Sequence, residues 1–299
     1  MTVHDDRKFE SITGSILIFT LWILVCLSLM SLGLGHRVRL ETKATTYTVA
    51  NTEAFYIAET ALYAKLIELA SLDESNDAAQ PRKSADKKPQ EEEAVIRYEV
   101  ISEEGKVNIN RTPEDLIERV RFLKGNTVWV IMNRRRSEDM KPDTGDHGLF
   151  LLPEELLVEA KIDPEDWYGR EKGKPGIRDL ITVYGTGLID VNSAPLEVLE
   201  AIPGVSSGVV ENIIVFRAGP DGKQGSRDDR KWRTVGQLKE SLKLSSSDVG
   251  PIGKYCRFGS EFYTVTVTAR KKGSRATARI SVVARIEDNE FEVVSWREH

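Results

Sequence analysis

An apolar run close to the N-terminus constrains this chain more than any other feature. Residues 15–35 carry no charged side chain, and as a helix at about 1.5 Å per residue they would span about 31 Å. That length matches the hydrocarbon core of a bilayer, which is about 30 Å thick. The 299-residue chain is otherwise polar enough for a globular protein, since 30% of its residues are charged. The sequence therefore predicts a globular part tethered to a membrane by its N-terminus.

Three interpretations of this run differ in how it is processed. A cleaved secretory signal has an apolar region of about 7–15 residues, which is shorter than the run found here. A plain signal anchor fits the length. A prepilin-type signal also fits, because the hydrophilic leader 1–14 ends in Gly14 and a cut before Ser15 would leave the run in place. Basic residues stand on both sides of the run, so the flanking charges do not favour an outward-facing C-terminal domain.

The helical pattern continues beyond the membrane run. Small and apolar residues recur at helical spacing from Ala50 to Leu69, and no proline interrupts them. We therefore predict one long helix over residues 15–72, with alanine on the face that packs against another element. The stretch 73–94 that follows is charged and poor in apolar residues, which predicts a solvated linker.

An internal repeat stands in the middle of the chain. Residues 105–123 resemble residues 187–205 at a shift of 82 positions. Each unit has a short strand-like piece, an Asn turn, and a proline that we expect at the first position of a helix. The matched pairs are Val107 and Ile189, Ile109 and Val191, Asn110 and Asn192, Pro113 and Pro195, Leu116 and Val198, and Ile117 and Leu199.

The second unit continues as a helix-hairpin-helix signature, with Gly204 in the turn and a helix over residues 207–217. In nucleic-acid binders this hairpin offers backbone N–H groups to a phosphate, normally assisted by basic side chains. Here the first basic residue of the second helix is Arg217. The net charge is −5, which also disfavours a nucleic-acid partner. We therefore interpret the hairpin as structural.

An acidic loop follows the hairpin. The glycine-rich residues 219–232 carry Asp221, Asp228 and Asp229, and carboxylates on such a loop can bind calcium. The EF-hand pattern is absent, and a solvated turn is the favoured interpretation. Calcium is therefore a candidate ligand of these three residues rather than a firm prediction.

The last part of the chain alternates between apolar and polar residues in the manner of β-strands. The alternating segments are 262–270, 275–285 and 290–296, and turn residues separate them. Residues 98–101 are a candidate fourth strand. A long helix packed on such an antiparallel sheet is an α+β fold.

This fold assignment divides the chain into parts. We expect an α/β part over 95–107 and 259–299, interrupted by a mainly helical insertion over 108–258. No catalytic residues are predicted, because the four histidines are scattered and no nucleophile–base pattern occurs.

Taken in order, several segments resemble the type II secretion minor pseudopilin K family, also called general secretion pathway protein K. They are the apolar helix after Gly14, the EEGKVNIN segment at 103–110, and the LIDVNSAPLEVLEAIPGVS segment at 188–206. The loop at 219–230 and the terminal VVSWRE at 293–298 complete the set. The resemblance covers nearly the whole chain.

The resemblance implies a type IV pilin-like fold, with the long helix on the sheet and a large helical insertion. It implies cleavage between Gly14 and Ser15 by prepilin peptidase, methylation of the new N-terminus, and a single-pass inner-membrane protein whose C-terminal domain is periplasmic. The implied site is the tip of a pseudopilus, with the minor pseudopilins I, J and H, the major pseudopilin and the inner-membrane assembly platform as partners. Some members of the family bind calcium.

The fifth position after the expected cut is Phe19, where most pilins carry Glu. The family resemblance implies an apolar residue there, because a subunit that assembles first has no neighbour whose terminal amine needs a carboxylate. An unpaired carboxylate in lipid is unfavourable by several kcal/mol. The sequence thus favours a non-enzymatic structural subunit. The alternative is a membrane-anchored DNA receptor of the competence type, which would also join an anchor to a helix-hairpin-helix.

Overall fold

The computed structural model describes residues 9–75, 94–123, 125–140, 149–170, 174–226 and 228–299. Most of the predicted leader and most of the predicted linker lie outside the described residues. The helices are α1 (Phe9–Ser75), α2 (Glu114–Ile117), α3 (Gly125–Met140), α4 (Pro153–Glu159), α5 (Pro164–Tyr168), α6 (Ile177–Leu180), α7 (Leu196–Leu199), α8 (Ser207–Arg217), α9 (Val235–Leu242) and α10 (Ser246–Tyr255). The strands are β1 (Ala94–Ser102), β2 (Val107–Asn108), β3 (Ile181–Thr182), β4 (Ile189–Asp190), β5 (Cys256–Arg257), β6 (Phe262–Lys271), β7 (Ala278–Glu287) and β8 (Glu290–Glu298).

Helix α1 is continuous from Phe9 to Ser75, three residues past the predicted end at Leu72. Its middle section is rich in threonine, a residue of modest helix propensity. Several of these threonines donate their hydroxyl to the carbonyl four residues earlier, as Thr42 does to Val38 at 2.8 Å. The hydroxyls are thereby satisfied within the helix.

Four strands form one antiparallel sheet in the order β1-β6-β7-β8, and α1 packs on one face of it. The helix side of the sheet alternates in the expected way, with Val265 on β6 paired to Val282 on β7. Together with buried α1 residues such as Leu62 and Leu66, these side chains form one hydrophobic core. The predicted α+β fold, a long helix on an antiparallel sheet with a helical insertion, is confirmed.

A second hydrophobic core lies in the insertion, the part of the chain that separates β1 from β6 in the sequence. It is a separate cluster that contains Trp167, Leu156 and Ile213 among its buried side chains. Two short parallel strand pairs frame it, because β2 pairs with β3 and β4 pairs with β5. The insertion therefore consists of copy 1, residues 107–182, and copy 2, residues 189–257, and each copy begins and ends with a strand of its own pair.

The two copies share one backbone plan at a shift of 82 residues. Helix α3 begins at Gly125 and α8 begins at Ser207. Lys161 and Lys243 hold the same left-handed conformation, with φ values of 51° and 53°. The sequence predicted this equivalence only around the first turn of each copy, and the structure extends it through α4 and α9. The two repeat prolines are N-cap residues, one position before the helices, rather than first helical residues.

Matched polar side chains form the same hydrogen bonds inside each of the two copies. Asn110 donates to the Phe150 carbonyl at 2.8 Å and accepts from its N–H at 2.9 Å. Asn192 makes the same two bonds to Trp232, at 2.8 and 2.9 Å. Each asparagine therefore ties the turn after the first strand to the segment that precedes α4 or α9.

The second matched element is an arginine in the C-terminal half of each longer helix, Arg135 in α3 and Arg217 in α8. Both guanidinium groups donate to backbone carbonyls of the turn after the first strand, at distances between 2.6 and 3.1 Å. Burial lowers the pKa of Arg135 to about 10 and also lowers the pKa of Arg217. These cations serve the fold of each copy. The bonds run from Arg135 to the Ile109 and Thr112 carbonyls, and from Arg217 to the Val191 and Ala194 carbonyls.

Candidate functional site

The first half of α1 has the properties of a membrane span. An apolar segment of this helix has a mean hydropathy of 2.5, and none of its residues is buried within the chain. Helix α1 is long and apolar enough to cross a membrane. Gly14 and Ser15, the predicted processing position, lie in the first turns of this helix. Phe19 is 67% exposed, so its side chain is free to contact lipid or another helix.

The second half of α1 joins the globular part. Ala54 and Ala58 are fully buried, and their small side chains let the helix approach the sheet closely. The opposite side of the same helix exposes Tyr56 and Ile67. This half of α1 thus has one face committed to its own sheet and another that is open.

The direction of β1 places the insertion far from the membrane span. Glu53 of α1 binds Lys271 at 3.0 Å, and Lys271 pairs with Ala94 at the start of β1. From the end of the predicted span to Glu53 is about 27 Å of helix, and β1 adds about 27 Å of strand to Ser102. The insertion begins after Ser102, so it is attached roughly 50 Å beyond the span by these rises per residue.

Two consecutive buried glutamates form the attachment. Glu103 accepts from the Thr264 hydroxyl of β6 at 2.6 Å and from the Thr182 hydroxyl of copy 1 at 2.5 Å. The Lys106 ammonium binds the same carboxylate at 2.6 Å. One carboxylate therefore connects the sheet with the last strand of copy 1.

Glu104 makes the second half of the attachment. Its carboxylate binds Arg257 of copy 2 at 2.6 Å and accepts from the backbone N–H groups of Thr186 and Glu261. Burial opposes the charge of Arg257, but bonds to Glu261 and the charge of Glu104 outweigh it, so the pKa of Arg257 is raised. Sequence reasoning recorded the EEGKVNIN segment as a family motif and missed this role. Two adjacent acidic residues between a strand and an apolar segment were the signal that could have indicated it.

The acidic loop is organised by its own backbone. Asp221 accepts from the Lys223 N–H at 2.7 Å, and Asp228 accepts from the Asp221 N–H at 2.9 Å. Asp229 accepts from the Gly225 N–H at 2.6 Å. Across the ranges that the structure describes, no three His, Cys, Asp or Glu side chains are grouped to hold a metal ion. The calcium expectation for Asp221, Asp228 and Asp229 stays a prediction.

Helices α7 and α8 lie on either side of the turn in the predicted helix-hairpin-helix segment. Gly204 in its turn has a φ of 83°, and a side chain there would approach Pro251 to 2.9 Å. Ser206 caps α8 by accepting from the Val209 N–H. Arg217, the basic residue of α8, is buried and bound to backbone carbonyls, so it is not available to a phosphate. This placement favours the structural interpretation of the hairpin over the DNA-receptor alternative.

The arrangement defines a class of protein: a long helix, apolar enough to span a membrane, on an antiparallel sheet that holds a duplicated helical insertion. A scan of protein-family models and a search of curated proteins returned no match for this chain. A solved structure that it resembles is the crystal structure of the GspK-GspI-GspJ complex from the Type 2 Secretion System of enterotoxigenic Escherichia coli. The TM-score is 0.48 and the identity 11%, over 88% of this chain and 99% of that one. A likeness of this size does not by itself assign a function.

Proposed function

We propose that this chain is a minor pseudopilin at the tip of a type II secretion pseudopilus. In this proposal it is a structural subunit without catalytic activity. Before assembly it resides in the inner membrane as a single-pass protein with a periplasmic C-terminal domain. It then helps to initiate pseudopilus assembly and protein export across the outer membrane. The motif order of the sequence and the described fold support the proposal together.

The position of the insertion carries the tip assignment. In a filament built from staggered α1 helices, each subunit has another subunit's globular part ahead of it along the axis. Here the insertion is attached at the end of the sheet away from the span, because β1 runs from the Glu53–Lys271 contact to Ser102. Roughly half of the chain would then occupy the space that the preceding subunit needs. Only the foremost subunit has that space free.

Phe19 supports the same position in the filament. A carboxylate inside the helix bundle is stabilised only where a partner charge stands nearby. The foremost subunit has no preceding terminal amine to neutralise, and an apolar side chain avoids the unfavourable burial of a charge. Gly14 and Ser15 would be the processing position for prepilin peptidase, followed by methylation of the new N-terminus.

The proposed partners are the minor pseudopilins I, J and H, the major pseudopilin and the inner-membrane assembly platform. The open face of α1, which exposes Tyr56 and Ile67, is available for a neighbouring helix. Association of such helices rests on close van der Waals packing, which the exposed side chains of this face would supply, since Ala54 and Ala58 are buried against the chain's own sheet. No nucleic-acid partner is proposed, because Arg217 is sequestered within copy 2.

Immunogold labelling of sheared pseudopili tests the proposal. Antibodies against an exposed insertion helix such as α9 should label one end of each filament. The control is an antibody against the major pseudopilin, which should label the whole length. Labelling by the insertion antibody along the filament would refute the tip assignment, because every subunit would then carry an insertion ahead of its sheet.

A further inference from the structure

The junction between the sheet and the insertion is built from polar contacts. The hydrophobic core beneath α1 and the hydrophobic core of the insertion are two separate clusters. Two parts of a chain that share a polar interface are expected to move relative to one another unless something fixes them. The buried residues at this junction include Glu103 and Glu104, which are 4% and 2% exposed.

We propose that Glu103 and Glu104 are positioning residues that hold the insertion in one orientation on the sheet. Their carboxylates join three parts of the chain: β6 through Thr264, copy 1 through Thr182, and copy 2 through Arg257. This set is the glutamate clamp. A buried ion pair contributes little net stability compared with apolar residues of the same shape, because its desolvation offsets its attraction. Its directional bonds nevertheless permit only one geometry.

Two glycines near the glutamate clamp allow the backbone segments around it to come close together. Gly185 has a φ of 95°, and a Cβ there would lie 2.6 Å from the Cγ atom of Glu104. A Cβ on Gly105 would lie 2.7 Å from the Ser193 hydroxyl of copy 2. That hydroxyl in turn donates to Ser102, the last residue of β1, at 3.0 Å. Glycine at both positions therefore lets the turn after β1 press directly against copy 2 and against the segment that joins the two copies.

A second tie between sheet and insertion is weaker. Arg297 of β8 binds Glu154 of α4 through two bonds, at 2.8 and 3.2 Å. Both side chains are close to half exposed, and exposed ion pairs contribute little because water and salt screen them. The orientation of the insertion therefore depends mainly on the glutamate clamp.

Pulsed EPR on the detergent-solubilised full chain tests this inference. One spin label is placed on Asp288, in the turn between β7 and β8, and one on Glu240 of α9, with Cys26→Ser as the background. The wild-type protein should give a single narrow distance distribution. Glu104→Gln, which removes the charge that pairs with Arg257, should broaden that distribution at least twofold.

Three further variants make the outcome decisive. Thr264→Val removes only the hydroxyl that joins Glu103 to the sheet, and it should also broaden the distribution. Glu118→Gln is the matched control, since this glutamate is exposed on the insertion and should leave the distribution unchanged. Hydrogen exchange of the two cores should stay at wild-type rates in Glu104→Gln, Thr264→Val and Glu118→Gln. The last variant, Glu104→Ala, removes the acceptor of the Thr186 and Glu261 amides, which should then exchange at least tenfold faster.

A distribution as narrow in Glu104→Gln and Thr264→Val as in the wild type would overturn the inference. So would broadening that appears only together with faster exchange throughout either core, because the clamp would then stabilise the fold rather than orient the insertion. The outcome is independent of the proposed role in secretion. A chain with another function would show the same behaviour.

Discussion

The matched asparagines of the two copies allow a stability prediction with an internal control. Asn110→Ala and Asn192→Ala each remove two hydrogen bonds from the backbone of one buried residue, Phe150 or Trp232, both 2% exposed. A hydrogen bond contributes about 1 kcal/mol net, and a buried group left without a partner costs about 1–3 kcal/mol. We expect each substitution to lower the free energy of unfolding by about 2–4 kcal/mol.

The prediction is that the two losses are equal within about 1 kcal/mol, because the two sets of bonds have the same lengths and the same burial. Asn110→Asp and Asn192→Asp should each lose at least as much, since the carboxylate still accepts the N–H but places a second acceptor oxygen against the carbonyl to which the amide group donated. Asn126→Ala is the matched control. It removes one bond to the Ala160 carbonyl and should cost about 1 kcal/mol.

The assay is urea unfolding of the detergent-solubilised chain, followed by tryptophan fluorescence. Hydrogen exchange of the Phe150 and Trp232 amides locates each effect, because each amide is the donor to the asparagine under test. A large loss for Asn192→Ala with none for Asn110→Ala would refute the equivalence of the two copies. Unchanged exchange at both amides would refute the bonds themselves.

Four other outcomes are expected. Gly14→Ala should leave an uncleaved protein in the membrane, which the mass of the N-terminal peptide will report; a wild-type protein that begins at Met1 would contradict the pilin assignment. Phe19→Glu should impair assembly, measured as secretion by cells that carry only this variant, and wild-type secretion would show that the side chain at that position is unimportant. Burial, with a smaller effect of a nearby carboxylate, raises the pKa of the Cys256 thiol to about 12, so below pH 9 a maleimide should label it only after unfolding. Trp129, 63% exposed on copy 1, corresponds to Glu211 of copy 2, so Trp129→Glu should change the free energy of unfolding by less than about 0.5 kcal/mol; a larger loss would mean that copy 1 needs this side chain.

Much of the fold was predictable because its elements are marked locally. The long helix, the three C-terminal strands and the hairpin around Gly204 each follow from a run of neighbouring residues. The strand bounds moved by a few residues, as for β7, which begins at Ala278 rather than at the predicted position 275. Such shifts are expected where a turn and a strand compete for the same residues.

The full extent of the duplication was not predictable from the sequence. Outside the first turn of each copy, the shared features are single polar residues far apart, such as Asn110 with Phe150 and Arg135 with the turn after β2. The apolar positions between them match only in part: Ile131 and Leu156 are buried like Ile213 and Leu238, but the buried Val130 corresponds to the exposed Asn212. The sequence pattern therefore did not reveal the repeat beyond the first part of each copy, although the backbone follows the same path there.

The sequence alone determined a helix that is long and apolar enough to cross a membrane, because a bilayer requires only length and low polarity from a helix that satisfies its own backbone. It also determined the alternation of the strands. Only the tertiary structure decided the roles of Glu103, Glu104 and Arg217, which as isolated residues look like ordinary surface charges. Apart from Lys106, which binds Glu103 from three residues away, their partners lie between 23 and 161 residues away. A charge becomes structural only where the fold removes water from it and supplies its bonds.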